Sequence, residues 1–301
     1  MNAMRQQPHL QMRSQTNKQT FCFGSPPNCL CQAADAASDS NWRRNRLSDE
    51  EFLQRQLEQG KTVSPLFAIP GFSTKIFRRD WLHIVDQGVG ADFIGNVFKT
   101  LLAFMPGANQ KERRLALWDL IRTFYDANNV QDRMVGLRHW GIQAPKKTPK
   151  LKASAAAARA LIPFCDEQCR ILLDPTNAVH EAIINAAHHL HECYRCLSTD
   201  AVDWKNKLEQ NSKDFAVQYK ALQDFHEGTK AWRVKPKMHQ FLEMCSSSSK
   251  PNMSWTYRDE DFGGTVAQLC RIKGGCWKKV LSYSKKMLIL FKTKFRVPRI
   301  R

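Results

Sequence analysis

The stretch at 79–89 places two acids and a histidine at helical spacing. Asp80 and His83 are three positions apart, and Asp86 follows three positions later. Residues three or four apart are neighbours on one face of a helix. The trio therefore predicts a site that binds a divalent metal or relays a proton. The alternative is structural, with Asp80 as the cap of a helix N-terminus and His83 as a half-buried side chain.

A second set of residues has the types and spacing of zinc ligands. His189, Cys193 and Cys196 stand at i, i+4 and i+7, so a helix aligns all three on one face. Histidine and cysteine thiolate both bind zinc, and Cys165 and Cys169 are candidates for further ligands across a pair of helices. The alternative is a helix with small buried cysteines and with histidines on its polar face.

The C-terminal segment has the composition of a polyanion-binding tail. Residues 271–301 contain 11 basic side chains and no acidic one, and residues 1–47 add six basic and two acidic. The chain between them is nearly neutral. Lysines release counterions from phosphates, and the aromatic rings of Trp277 and Phe291 can stack on unpaired bases. There are two alternatives to nucleic-acid binding. The segment binds an anionic membrane surface, or it forms a final helix that packs its apolar stripe on the body. The candidate nucleic-acid-binding residues are Lys273, Lys278, Lys279, Lys285, Lys286, Lys292, Lys294 and Arg296.

The elements that must position these residues are helices. Apolar residues recur at helical spacing through most of the chain, and alternating strand patterns are nearly absent. The sequence thus predicts a mainly α fold, an irregular multi-helix array with a disordered N-terminal leader and a basic C-terminal helix. We expect a leader at 1–47, a helical body at 48–270 and a basic amphipathic tail at 271–301. The predicted helices of the body include 80–104, 110–126, 130–140, 164–173, 177–197, 201–228 and 232–245.

Composition excludes several classes of protein. The 301 residues are 43% hydrophobic and 25% charged, with a net charge of +18, so neither chain-long disorder nor a fibrous chain fits. No apolar run is long enough to span a bilayer, and residues 1–20 do not form a secretory signal. We therefore expect an intracellular protein with free thiols, and the nucleus is one candidate compartment. The absence of P-loop, GxGxxG, GxSxG and HExxH motifs gives no support to a nucleotide-dependent enzyme or a common hydrolase.

Three segments resemble parts of eukaryotic cut-and-paste transposases, the CACTA-like and related families. The Asp-x-x-His stretch at 79–89 is similar to the start of their helical insertion, and 232–239 resembles their Lys-Pro-Lys-x-His segment. Residues 255–264 look like the Trp-x-x-x-x-Glu stretch that carries their third catalytic carboxylate, here Glu260. The span from 76 to 270 also resembles uncharacterised repeated reading frames of algal genomes.

The resemblance implies a mobile-element origin and assigns Asp80, His83 and Glu260 to vestigial catalytic positions. An active RNase H-like site needs further carboxylates on strands to hold two magnesium ions, and nothing before Asp80 has that pattern. We therefore expect a transposase-derived protein that has lost catalysis and keeps non-specific nucleic-acid binding through its tail. The alternatives are a helical protein-interaction scaffold, with or without a zinc staple, and an active metal-dependent nuclease.

Overall fold

The computed structural model describes residues 48–60, 62–73, 79–137, 148–257 and 259–264. This part of the chain is mainly helical and contains no strand, so the predicted fold class is confirmed. The predicted leader, tail and basic C-terminal helix lie outside the described residues. The chain divides into two compact units, 1–255 and 256–301, and the described part of the second is helical at 259–264. The α-helices are α1 Asp49–Glu58, α2 Gly90–Leu101, α3 Gln110–Ala127, α4 Ala155–Ala160, α5 Ile162–Leu172, α6 Ala178–Ser198, α7 Trp204–Phe225 and α8 Pro236–Cys245.

Polar caps determine where several of these helices begin. Ser48 and Glu51 form a capping box at α1, in which the Ser48 hydroxyl accepts the Glu51 amide at 3.2 Å and the Glu51 carboxylate accepts the Ser48 amide at 2.7 Å. The side-chain oxygens of Asn109 and Asn177 accept two amides each at α3 and α6, and the hydroxyl of Ser154 accepts one at α4. These side chains satisfy amide groups that have no partner within the helix.

The core of the first unit surrounds α2. Phe93, Ile94, Val97 and Phe98 are fully buried, although they lie on different faces of that helix. A helix that is apolar on most faces belongs in the interior. The long helices α6 and α7 pack against each other, and α8 packs against α7.

The residues just before α2 are wound as a π-helix over Leu82–Val89. In a π-helix the amide bonds the carbonyl five residues earlier, and most examples are single turns that often mark functional sites. This segment, which we call the π segment, has eight residues and contains His83 and Asp86. Helix α8 packs against it.

The short helix predicted at 130–140 is not formed in its described part, 130–137. There the chain turns, and Arg133 pairs with Asp126 at 2.6 Å while Tyr125 accepts the Met134 amide at 3.3 Å. Contacts with the end of α3 thus hold an irregular turn. Among the helices in the described ranges, none has the length and apolar character needed to cross a membrane.

Candidate anion-binding site

Asp80 caps the start of the π segment. Its two carboxylate oxygens accept the amides of Leu82 and His83, each at 3.3 Å, and its Oδ2 also contacts Nδ1 of His83. The Asp80 side chain is 15% exposed and that of His83 is 51% exposed. This geometry agrees with the structural alternative to a metal or proton-relay site, in which Asp80 caps the helix beside a partly exposed His83.

Asp86 does not share a surface with His83. Its side chain is buried, and its Oδ1 accepts a hydrogen bond from the hydroxyl of Tyr194 on α6. A π-helix turns each residue through a smaller angle than an α-helix, so positions that would align on an α-helix point apart here. In the described ranges, no group of three histidine, cysteine, aspartate or glutamate side chains is arranged to hold a metal ion.

Three lysines converge on the π segment and on the start of α2. The Lys150 ammonium donates to the Gln87 carbonyl at 2.7 Å, and the Lys237 ammonium donates to the His83 carbonyl. The third, Lys235, pairs with the buried Asp92 of α2 at 2.8 Å. We call these residues, Lys150, Lys235 and Lys237, the lysine cluster. Three ammonium groups with one buried carboxylate leave a local excess of positive charge.

The charge excess affects Lys237 directly. Its pKa is below the usual lysine value because burial disfavours the ammonium and because Lys150 and Lys235 repel it, against a smaller opposing effect of Asp92. A lysine with a lowered folded-state pKa destabilises the folded protein while it is charged. A bound anion would reduce this repulsion, so the cluster is chemically suited to hold a phosphate.

The N-terminus of α8 adds to the same positive region. Lys235 is the N-cap, Pro236 is at the first helical position, and Lys237 is in the first turn, with no side-chain cap. Helix N-termini attract anions, and cations there are unfavourable in the absence of an anion. The Lys-Pro-Lys sequence therefore places two lysines at the positive end of the α8 dipole.

Close approaches at two glycines bring the lysine cluster together. A Cβ on Gly95 would lie 2.5 Å from the Lys150 Cα, and the Leu151 amide donates to the Ala91 carbonyl at 2.8 Å. A Cβ on Gly88 would lie 2.6 Å from the Cδ of Lys237. Both glycines therefore provide the space that lets lysines from distant segments cross the helix.

The connection before α8 is fixed by a buried polar contact. Trp232 has a φ of 52°, its side chain is buried, and its amide donates to Oδ1 of Asn96 at 3.0 Å. The Asn96 amide group donates in turn to the Asp92 carbonyl at 2.8 Å. A left-handed conformation in a bulky residue is strained, and this contact holds it in place.

The histidine of the Lys-Pro-Lys-x-His segment is part of the core. His239 is fully buried on α8, with its Nε2 3.6 Å from a carboxylate oxygen of Glu243, and Glu243 also pairs with Arg79. This chain of polar contacts connects α8 to the residue before Asp80. The Asp-x-x-His and Lys-Pro-Lys-x-His segments are thus packed against each other.

The residues predicted to bind zinc have other surroundings. His189 lies with Nδ1 3.0 Å from Oδ1 of Asn211, while Cys193 is fully buried and Cys196 nearly so. Burial raises the pKa of both thiols, and neighbouring acidic groups add to the rise. Within the described part of the chain, these side chains do not form a group of three that could hold a metal ion. Cys165 and Cys169 on α5 are also buried, and burial raises their pKa values too.

The remaining predicted site residues lie elsewhere in the chain. Glu260 is exposed on the helical turn of the second unit, where its amide donates to the Thr256 carbonyl at 2.9 Å. The tail residues Lys273, Lys278, Lys279, Lys285, Lys286, Lys292, Lys294 and Arg296 lie outside the described residues.

Lys150 is not among the predicted site residues, because it ends a basic stretch that has the pattern of a linker. Its partner Gln87 is 63 positions away, and no local spacing reveals that contact. The available signal was Gly95, a glycine inside an apolar helical pattern, which indicates close backbone approach.

Comparisons with protein-family models, with curated proteins and with solved structures found no match to this chain.

Proposed function

We propose that this protein binds nucleic acid through its phosphates, with little preference for base sequence. The observation that carries the proposal is the charge of residues 271–301, with 11 basic side chains and no acidic one. Each phosphate contact releases condensed counterions, which makes such a segment the main source of affinity for a polyanion. Lysines position a nucleic-acid backbone without distinguishing the base edges.

The lysine cluster supports the same function from within the body of the protein. It combines three ammonium groups near the N-terminus of α8, and the pKa of one of them, Lys237, is lowered by burial and by its lysine neighbours. Phosphate is a ligand that these groups would favour. We expect the tail to supply most of the binding free energy and the cluster to supply one further phosphate contact.

We further propose that the chain derives from the C-terminal part of a transposase and does not cleave nucleic acid. The Asp80 carboxylate is already engaged with two backbone amides and with His83, so it acts as a helix cap. Strand nicking with magnesium or manganese that disappears in Glu260→Gln would contradict the proposed loss of activity.

The test of binding is a salt titration with fluorescently labelled DNA of random sequence, read by anisotropy. In one variant, four tail lysines, Lys278, Lys279, Lys285 and Lys286, are replaced by glutamine. The matched control replaces four body lysines, Lys111, Lys152, Lys207 and Lys230, and so removes the same charge. For duplex DNA, each lost contact lowers the slope of log K against log salt by about 0.9.

We expect the tail variant to lose a slope of about 3 to 4, while the control changes it by less than about 1. Lys237→Gln should lower the slope by about 1 on its own. Equal losses in the tail variant and in the control would mean that only total charge matters. Undiminished binding in the tail variant would refute the role of the tail and would favour the alternative of a protein-interaction scaffold.

A further inference from the structure

A cleft of about 620 Å³ opens in the first unit, apart from the lysine cluster. It lies between α4, the C-terminal half of α6 and the turn that follows α3. Its volume falls in the range of sites for small molecules, roughly 300 to 1,000 Å³. The side chains that matter for its chemistry are Arg159, Arg195, His191, Trp255, Leu197 and Pro163.

One side of the cleft is cationic. Arg195 is 69% exposed on α6 and pairs with Glu192 at 2.8 Å. Arg159 on α4 lies over the ring of Trp255, with its guanidinium carbon 5.3 Å from the ring centroid. Guanidinium groups bind phosphate through two parallel hydrogen bonds. An acidic residue, Asp132, also lines the cleft, and it is exposed at the edge.

His191 adds a third polar group, and a buried acid fixes its orientation. Its Nδ1 lies 2.7 Å from Oδ2 of Asp166, and Arg170 pairs with the other carboxylate oxygen at 2.7 Å. Burial alone would raise the pKa of Asp166, but the hydrogen bond from His191 and the charge of Arg170 outweigh it and lower that pKa. The ionised carboxylate therefore holds the proton of His191 on Nδ1.

This arrangement leaves Nε2 of His191 for a ligand, because no partner of that atom occurs among the described residues. With its proton on Nδ1, the ring of His191 presents Nε2 as a hydrogen-bond acceptor for a hydroxyl or amino group of a ligand. His188 lies nearby, with its Nδ1 4.0 Å from the same Asp166 oxygen and 2.8 Å from Arg170. The cluster therefore arranges two imidazoles and one guanidinium around a single fixed carboxylate.

The other side of the cleft is apolar. Trp255 presents a partly buried indole, and Leu197, Ala156, Ala160 and Pro163 complete this wall. Planar rings stack well against an indole or a guanidinium. A ligand that fills both sides must therefore carry an anionic group at one end and a planar ring at the other.

We propose that this cleft binds a single nucleotide, with its phosphate at Arg195 and Arg159, a hydroxyl or amino group at Nε2 of His191, and its base beside Trp255. The inference goes beyond phosphate binding by the tail, because the cleft accepts a base as well and lies in a different part of the chain. The bound nucleotide is either a free mononucleotide or the terminal nucleotide of a single strand.

The test is isothermal titration of the full-length protein with AMP, adenosine and inorganic phosphate. We expect AMP to bind more tightly than either part alone. Arg195→Gln should weaken AMP binding by about tenfold or more, the effect of losing one charge-assisted contact. The matched control is Arg122→Gln, because Arg122 is 60% exposed and pairs with Asp119 three positions away, as Arg195 does with Glu192.

A second substitution tests the base side. Trp255→Leu removes the ring beneath Arg159 and should weaken the binding of AMP more than the binding of phosphate. The absence of AMP binding at millimolar concentration would overturn the proposal, as would equal effects of Arg195→Gln and Arg122→Gln. Displacement of bound AMP by a short single-stranded oligonucleotide with a 5′-phosphate would identify a strand end as the source, and no displacement would identify the free mononucleotide.

The same titration separates this inference from the proposed function. The variant with four neutralised tail lysines should bind AMP as the wild type does, although its affinity for long DNA falls. Loss of AMP binding in that variant would place the nucleotide on the tail and would refute the cleft.

Discussion

Replacement of Gly95 by alanine tests the contact that brings Lys150 to the π segment. The new Cβ would lie 2.5, 2.6 and 2.7 Å from the Cα, N and C atoms of Lys150, where 3.4 Å or more is an ordinary contact. Because all three atoms belong to the backbone, a rotamer change cannot relieve the overlap. The chain at 150–151 must move away from α2, and this breaks the 2.8 Å hydrogen bond from the Leu151 amide to the Ala91 carbonyl.

The expected effect of Gly95→Ala is a destabilisation of about 2 kcal/mol. Overpacking of this kind costs roughly 1 to 3 kcal/mol, and loss of the hydrogen bond adds about 0.5 to 1.5 kcal/mol. Alanine offsets about 1 kcal/mol of this through its higher helix propensity. The free energy of unfolding is measured by urea denaturation, with far-ultraviolet circular dichroism as the readout.

The control for this experiment is Gly263→Ala, because a Cβ on Gly263 has no neighbour within 4 Å among the described residues. Its stability should stay within about 0.5 kcal/mol of the wild type. Amide hydrogen exchange gives a local readout, since Leu151 should lose protection in Gly95→Ala and keep it in the control. A Gly95→Ala protein as stable as the wild type, with Leu151 still protected, would show that 150–151 does not pack on α2 as described.

Three further predictions concern buried polar groups and thiols. Asn96→Leu should destabilise the protein by about 1 to 3 kcal/mol in urea denaturation, because it leaves the Trp232 amide buried without its acceptor; an unchanged midpoint would refute this. Asp166 has a lowered folded-state pKa, so its contribution to stability is present above the unfolded value of about 3.9 and is lost as the pH falls through the folded value. Asp166→Asn should therefore flatten the acid side of a plot of stability against pH, and a parallel curve would contradict the assignment. Chelation should leave the melting temperature unchanged and zinc analysis should find less than about one equivalent, because His189, Cys193 and Cys196 form no group of three metal ligands among the described residues; bound zinc with a chelator-sensitive melting temperature would restore the predicted site at Cys193 and Cys196.

Local patterns were sufficient to predict the helices but not the contacts between them. The apolar periodicity of α3, α6 and α7 predicted the bounds of these helices within a few residues, because it acts over one or two turns. The short helix at 130–140 was wrong in its described part, since contacts of Arg133 and Tyr125 with the end of α3 outweigh local propensity.

In the candidate site, too, contacts within one turn could be predicted and contacts between segments could not. Asp80 and His83 were predicted to be neighbours, and they are, because their contact spans a single turn. The spacing of Asp86 was interpreted with α-helical geometry, and π winding sends that residue to Tyr194 instead. No local sequence pattern predicts an eight-residue π segment, because its hydrogen bonds depend on the packing of α8 and α2 around it.

The π winding of Leu82–Val89 also bears on how this protein tolerates insertions and deletions. A π-helix accommodates one residue more per turn of hydrogen bonding than an α-helix does. Deletion of one residue here can be absorbed by rewinding to α geometry, so the preceding chain roughly keeps its direction relative to α2. The helix and its Asp80 cap would survive, and the change would fall on the residues of the π segment itself. Deletion of one residue at this place would therefore alter the surface around the lysine cluster while leaving the core of α2 intact.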